Sequence, residues 1–138
     1  MKLMRSAFLG LGLLLAVSAA QAQEPRVKAN IPFDFVVGDR VMPAGEYTVS
    51  QVSNAAIAIL SEDRKSTAMT VTSACASASP SNSTKLVFHA LGGRYFLSQI
   101  WTAGYIQGRQ LRESKAEIEL AKNGTTSKDL VLAANLSH

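Results

Sequence analysis

Lys85-Leu86-Val87-Phe88-His89-Ala90-Leu91-Gly92-Gly93-Arg94-Tyr95-Phe96-Leu97-Ser98-Gln99-Ile100-Trp101 is the stretch that decides the fold. Two arms rich in large apolar and aromatic residues flank Gly92-Gly93. A two-residue connection between antiparallel strands needs positive φ, which glycine takes without steric penalty. The stretch therefore reads as a tight β-hairpin. An isolated hairpin is not stable in water, so one of its faces must meet the rest of the domain. The reading predicts that Phe88 and Trp101 share one core.

Upstream, Ile31, Phe33, Phe35 and Val37 alternate with smaller or polar residues, which predicts a half-buried strand starting at an edge because of Pro32. Pro43-Ala44-Gly45 predicts a turn, with Pro43 fixing φ and Gly45 in the left-handed position. Strands are expected over 46–52 and 55–60, a charged loop over 61–65, and another strand carrying Thr67, Met69 and Val71. Residues 73–84 are almost all Ser, Ala, Asn or Pro and read as a long mobile loop inside one domain. Downstream of the hairpin, Ser114-Lys115-Ala116-Glu117 is a capping-box pattern that opens a helix of about two turns, with Asn123-Gly124 stopping it. Residues 130–134 suit a last strand. The fold class is mostly β: a small antiparallel β-sandwich or barrel with one short helix in the C-terminal half.

Residues 1–22 read as a cleavable signal peptide: basic Lys2 and Arg5, an apolar run, then Ala20-Gln21-Ala22 before the cut. The apolar run falls short of the roughly 20 residues a spanning helix needs, and Gly10 and Gly12 weaken it further. Residues 23–138 then form a single β domain, exported to the periplasm or secreted, with no transmembrane span after cleavage. The formal charge of +4 falls to about +2 once Lys2 and Arg5 are gone, and the remaining Lys and Arg are scattered, so no nucleic-acid surface is expected. Cys75 is the only cysteine, which excludes an intrachain disulfide; between Ala74 and Ala76 it reads as a small apolar filler, the alternative being an intermolecular disulfide.

Candidate chemistry is sparse. In the hairpin's alternation His89 faces away from Leu86 and Phe88, and a general base there would need a hydroxyl and an orienting acid. Ser98 and Asp34 are the candidates considered, although no G-x-S-x-G elbow occurs. Glu113, Glu117 and Glu119 read as surface charge on the helix. Tyr95, Trp101 and Tyr105 share the odd parity of the second arm and its extension, so an exposed aromatic row for a ligand is the alternative to their burial. No spacing suits a zinc or calcium site, a P-loop or a dinucleotide fingerprint, so no catalytic, cofactor or metal residues are assigned.

Ile31-Pro32-Phe33-Asp34-Phe35, Pro43-Ala44-Gly45-Glu46-Tyr47-Thr48-Val49, Leu86-Val87-Phe88-His89, Tyr95-Phe96-Leu97 and Ile100-Trp101 appear in an order that resembles a family of small, uncharacterised exported bacterial β-domain proteins. Gly108-Arg109 and Glu119-Leu120-Ala121 look like that family's downstream segment, so the resemblance runs from about 30 to 122. It implies export and a common β fold, and no activity. Ala90-Leu91-Gly92-Gly93 departs from the more polar run such proteins carry after the His, which weakens any role carried over to His89. Function is read first as a non-enzymatic exported β domain that binds an unknown protein or envelope component. The alternatives are a small hydrolase-like enzyme using His89 and a structural or self-associating envelope protein.

Overall fold

A computed structural model describes residues 26–137; the proposed signal peptide and His138 lie outside the described residues. Along the chain come β1 (Arg26–Ile31), β2 (Phe35–Val37), β3 (Arg40–Met42), β4 (Gly45–Ser53), β5 (Ala56–Ser61) and β6 (Thr67–Ala76). They are followed by β7 (Lys85–Leu91), β8 (Arg94–Trp101), β9 (Gln107–Leu111), α1 (Lys115–Lys122), β10 (Lys128–Ala133) and β11 (Asn135–Ser137). The protein is mostly β, with one short helix among the described residues. No helix among them is long and apolar enough to cross a membrane.

The strands hydrogen-bond in the order β10-β7-β8-β9-β6-β5-β4-β1-β11. Two segments make the corners. The first half of β6 pairs with β5 and the second half with β9. The segment 128–137 does the same at the other side: β10 pairs with β7, and β11 pairs with β1. Between them Ala134 turns the chain, its N–H donating to the Thr84 carbonyl at 3.0 Å. The path thus starts and ends on one segment, and the sheet curls back on itself as a flattened barrel.

Inward side chains from β1 to β9 meet in a single buried cluster that includes Val27, Ile31, Phe35, Tyr47, Ile57, Leu86, Phe88 and Ile100. Aromatic rings fill one end of it. Phe35 meets Tyr47 and Phe88 edge-on at 5.0 and 5.7 Å, and Phe33 stacks on Tyr95 at 4.1 Å. Tyr47 is fully buried, and its hydroxyl donates to the Pro43 carbonyl at 2.6 Å, so the polar tip of the ring is satisfied. A smaller cluster lies on the outer face, where Val36, Leu91 and Phe96 take Ala116 and Leu120 of α1.

The Gly92-Gly93 hairpin forms as read, with φ of +55° and +78° and the arms bounded as expected. Its register carries a surprise. Val87 pairs with Gln99 and Phe88 with Leu97, which leaves Ser98 unpartnered as a β-bulge. An inserted residue reverses the alternation beyond it. Tyr95 and Leu97 therefore point inward with Ile100, while Trp101 falls on the outer face. Trp101 is buried there against Gly108 rather than beside Phe88.

Other boundaries differ for local reasons. The alternating run from Ile31 to Val37 is broken after Ile31: β1 begins earlier and pairs with β4, while β2 joins β3 and β8. Gly45 does not close the turn but opens β4. Residues 73–76, read as loop, continue β6, because β9 supplies a backbone partner that small polar side chains do not obstruct. On β6 it is Ala68 and Thr72 that are buried, whereas Met69 and Val71 are exposed.

Candidate functional site

Two places in the fold gather polar groups. The first lies under α1. Ser114 takes extended backbone angles and its hydroxyl accepts from the Glu117 N–H at 3.1 Å, half of the capping box expected. The reciprocal half does not form. Glu117 turns its carboxylate onto the sheet, where Oε1 lies 2.5 Å from His89 Nδ1. It is 6% exposed, so its reading as helix surface charge is corrected. Docking Ala116 and Leu120 on the outer cluster presents the helix face that carries Glu117 to β7.

On the other side of the ring, His89 Nε2 lies 3.1 Å from Ser98 Oγ. In the tautomer that carries its proton on Nδ1, the imidazole donates to the Glu117 carboxylate and accepts at Nε2 from the Ser98 hydroxyl. The exposed Asp129 on β10 has Oδ1 3.6 Å from the same nitrogen. Sequence reasoning named His89 and Ser98 but offered Asp34 as the acid; Asp34 is engaged elsewhere, accepting from the Ala44 N–H at 2.9 Å.

Hydroxyl, imidazole and carboxylate in series is the order of an acyl-transfer triad. Such chemistry also needs a nucleophile that substrate can approach and donors aimed at a developing oxyanion. Ser98 is 5% exposed and sits inside a strand paired to β7 and β9, not on a strand-to-helix turn. Its position suits a polar tie between sheet and helix, and no buried side-chain nitrogen or oxygen among the described residues lacks a partner.

The second place is the end of the barrel opposite the aromatic rings. A pocket of about 680 Å³ opens there. Its floor is formed by the buried Val27, Val49, Ile57 and Ile100, and its mouth by Gln51, Asn54, Thr102, Tyr105, Gln107 and Arg109. Arg109 reaches it from β9, on the same side of the strand as the core residue Leu111. Its Nε donates to Thr72 Oγ1 at 3.0 Å; one Nη donates to Thr72 Oγ1 at 2.8 Å, to the Thr72 carbonyl at 3.2 Å and to the Asn54 carbonyl.

The three aromatics considered as a platform are separated. Tyr95 stacks on Phe33 at the closed end, Trp101 lies against Gly108 with Nε1 donating to Gln99 Oε1 at 3.0 Å, and Tyr105 stands exposed at the pocket mouth. Arg109 was missed in the sequence because a single inward arginine breaks the apolar alternation that marks a strand. Cys75 pairs in register with Gly108, and burial raises its thiol pKa. No group of three or more metal-ligating side chains occurs among the described residues. No family model, curated protein or solved structure matches the chain.

Proposed function

We propose that this is an exported, non-enzymatic β domain that binds an envelope component in the open end of its barrel. The observation that carries this reading is the pocket: about 680 Å³, with a buried aliphatic floor and a few polar groups gathered at one rim. That volume falls within the roughly 300–1,000 Å³ of small-molecule sites, and the pairing of apolar walls with sparse polar groups is their usual chemistry. Elsewhere the interior is filled by the packed rings of Phe33, Phe35, Tyr47, Phe88 and Tyr95. Export rests on the basic start, apolar run and Ala20-Gln21-Ala22 of the sequence. Mass spectrometry of protein recovered from outside the cytoplasm should then give a chain beginning at Gln23; an intact Met1 would refute export.

Titration with the neutral fluorophore N-phenyl-1-naphthylamine tests the pocket. Saturable binding is expected, and it should disappear in Gln51→Trp, which plugs the mouth at an exposed position. A wild-type protein that does not bind the probe, or a variant that binds it equally, would overturn the reading.

A second reading has one observation in its favour: Ser98, His89 and Glu117 stand in hydrogen-bond series. As a hydrolase, the protein would take a covalent fluorophosphonate adduct on Ser98, lost in Ser98→Ala. Absence of an adduct at concentrations that label an ordinary serine hydrolase would exclude it.

A further inference from the structure

The pocket described above holds one charge. Arg109 is the sole ionisable cation among its lining residues, and no carboxylate lines it. The guanidinium is partly buried and bonded only to neutral oxygens, those of Thr72 and Asn54. Among the described residues the ion pairs formed all involve His89, so Arg109 has no counter-ion there. Its second Nη makes no hydrogen bond among those residues.

A cation drawn out of water without an opposite charge is unfavourable, and buried charges are ordinarily paired. Here the unpaired cation stands at the rim of an aliphatic cavity. Thr72 and Asn54 also fix it in place, so little side-chain freedom remains to be lost when a ligand arrives. We propose that the pocket takes an amphiphile with a single carboxylate, its head on the free edge of Arg109 and its apolar body over Val27, Val49, Ile57 and Ile100. A guanidinium matches a carboxylate in shape as well as charge. The exposed Tyr105 and Gln107 flank the head position and can donate to it.

This inference rests on the pocket-binding reading, and the experiment separates the two. Decanoate, decanol and decyltrimethylammonium, matched in chain length, are titrated calorimetrically at pH 7 into the full domain. Decanoate should bind at least tenfold more tightly than decanol, and decyltrimethylammonium least. In Arg109→Gln the preference for decanoate over decanol should be lost, and in Arg109→Lys part of it should return. Equal binding of decanoate and decanol by the wild type would refute the carboxylate preference while leaving the pocket reading intact. So would a preference for the cation, or an Arg109→Gln protein that keeps its decanoate affinity. Failure of all three probes would refute both. The wild-type comparison needs no variant to fold.

Discussion

Replacing Gly108 with alanine would place a methyl carbon 2.7 and 2.8 Å from Cε3 and Cδ2 of Trp101 and 2.8 Å from the Ile100 carbonyl oxygen. Non-bonded carbons are content at about 3.5–4.0 Å, so something must retreat by nearly an ångström. The indole can tilt outward, but only by loosening the 3.0 Å bond from its Nε1 to Gln99. The Ile100 carbonyl belongs to β8, whose register with β9 pairs Ile100 with Arg109. Overpacking of this kind costs roughly 1–3 kcal/mol. A lost hydrogen bond adds about 0.5–1.5 kcal/mol. Against these stands a gain of about 0.4–1 kcal/mol from a stiffer unfolded chain. The net expectation is a loss of about 2–3 kcal/mol, read by urea denaturation followed by far-ultraviolet circular dichroism. Trp101→Ala removes two of the three contacts, so the Gly108→Ala penalty should shrink in that background without vanishing. Trp101→Ala alone should cost about 3–5 kcal/mol, as for other buried aromatics. A Gly108→Ala protein as stable as wild type, or more so, would refute the outer-face packing of Trp101.

Glu117→Ala removes the acceptor of a charge-assisted hydrogen bond and should cost about 1.5–3 kcal/mol, with faster hydrogen exchange in α1; unchanged exchange would show that the tie holds nothing. Burial raises the Cys75 thiol pKa, so less thiolate forms at a given pH. At pH 8 iodoacetamide should alkylate native Cys75 more slowly than the urea-unfolded chain, and equal rates would contradict this. Asp63 has its carboxyl pKa lowered, first by the Ser61 hydroxyl and then by the Lys65 N–H. Because the folded value lies below the unfolded one, its contribution is present above the ordinary carboxylate range and is lost as pH falls through the lowered value. Nuclear magnetic resonance titration should find Asp63 among the most acidic aspartates, and an ordinary midpoint would refute the turn geometry.

The hairpin was legible because Gly92-Gly93 and two apolar arms are local signals, and local signals survive folding. β9 was not, since its inward residues are Arg109 and Leu111 and its outward ones Gly108 and Gln110, a pattern with no apolar period. The bulge at Ser98 was equally hidden. Nothing in Leu97-Ser98-Gln99 announces an extra residue, yet it moves Trp101 across the sheet, away from the core it was expected to share with Phe88, and breaks up the aromatic row that was the alternative. His89 and Ser98 were legible as a pair because they lie on the two arms of one hairpin. Their acid was not: Glu117 carries a capping-box signature, and only the docking of α1 turns it toward the sheet.

The segment 128–137 comes after every strand it joins, and it bonds β7 on one side and β1 on the other. Contacts such as Val27 with Leu136 span nearly the whole domain, and pairings that distant in sequence are slow to form. Until this segment arrives, β1 and β7 each present a bare edge, the kind of surface on which chains aggregate. Closing of the sheet therefore waits on one short segment pairing with two strands far from it in sequence, and a substitution that weakens that segment would bare both edges at once.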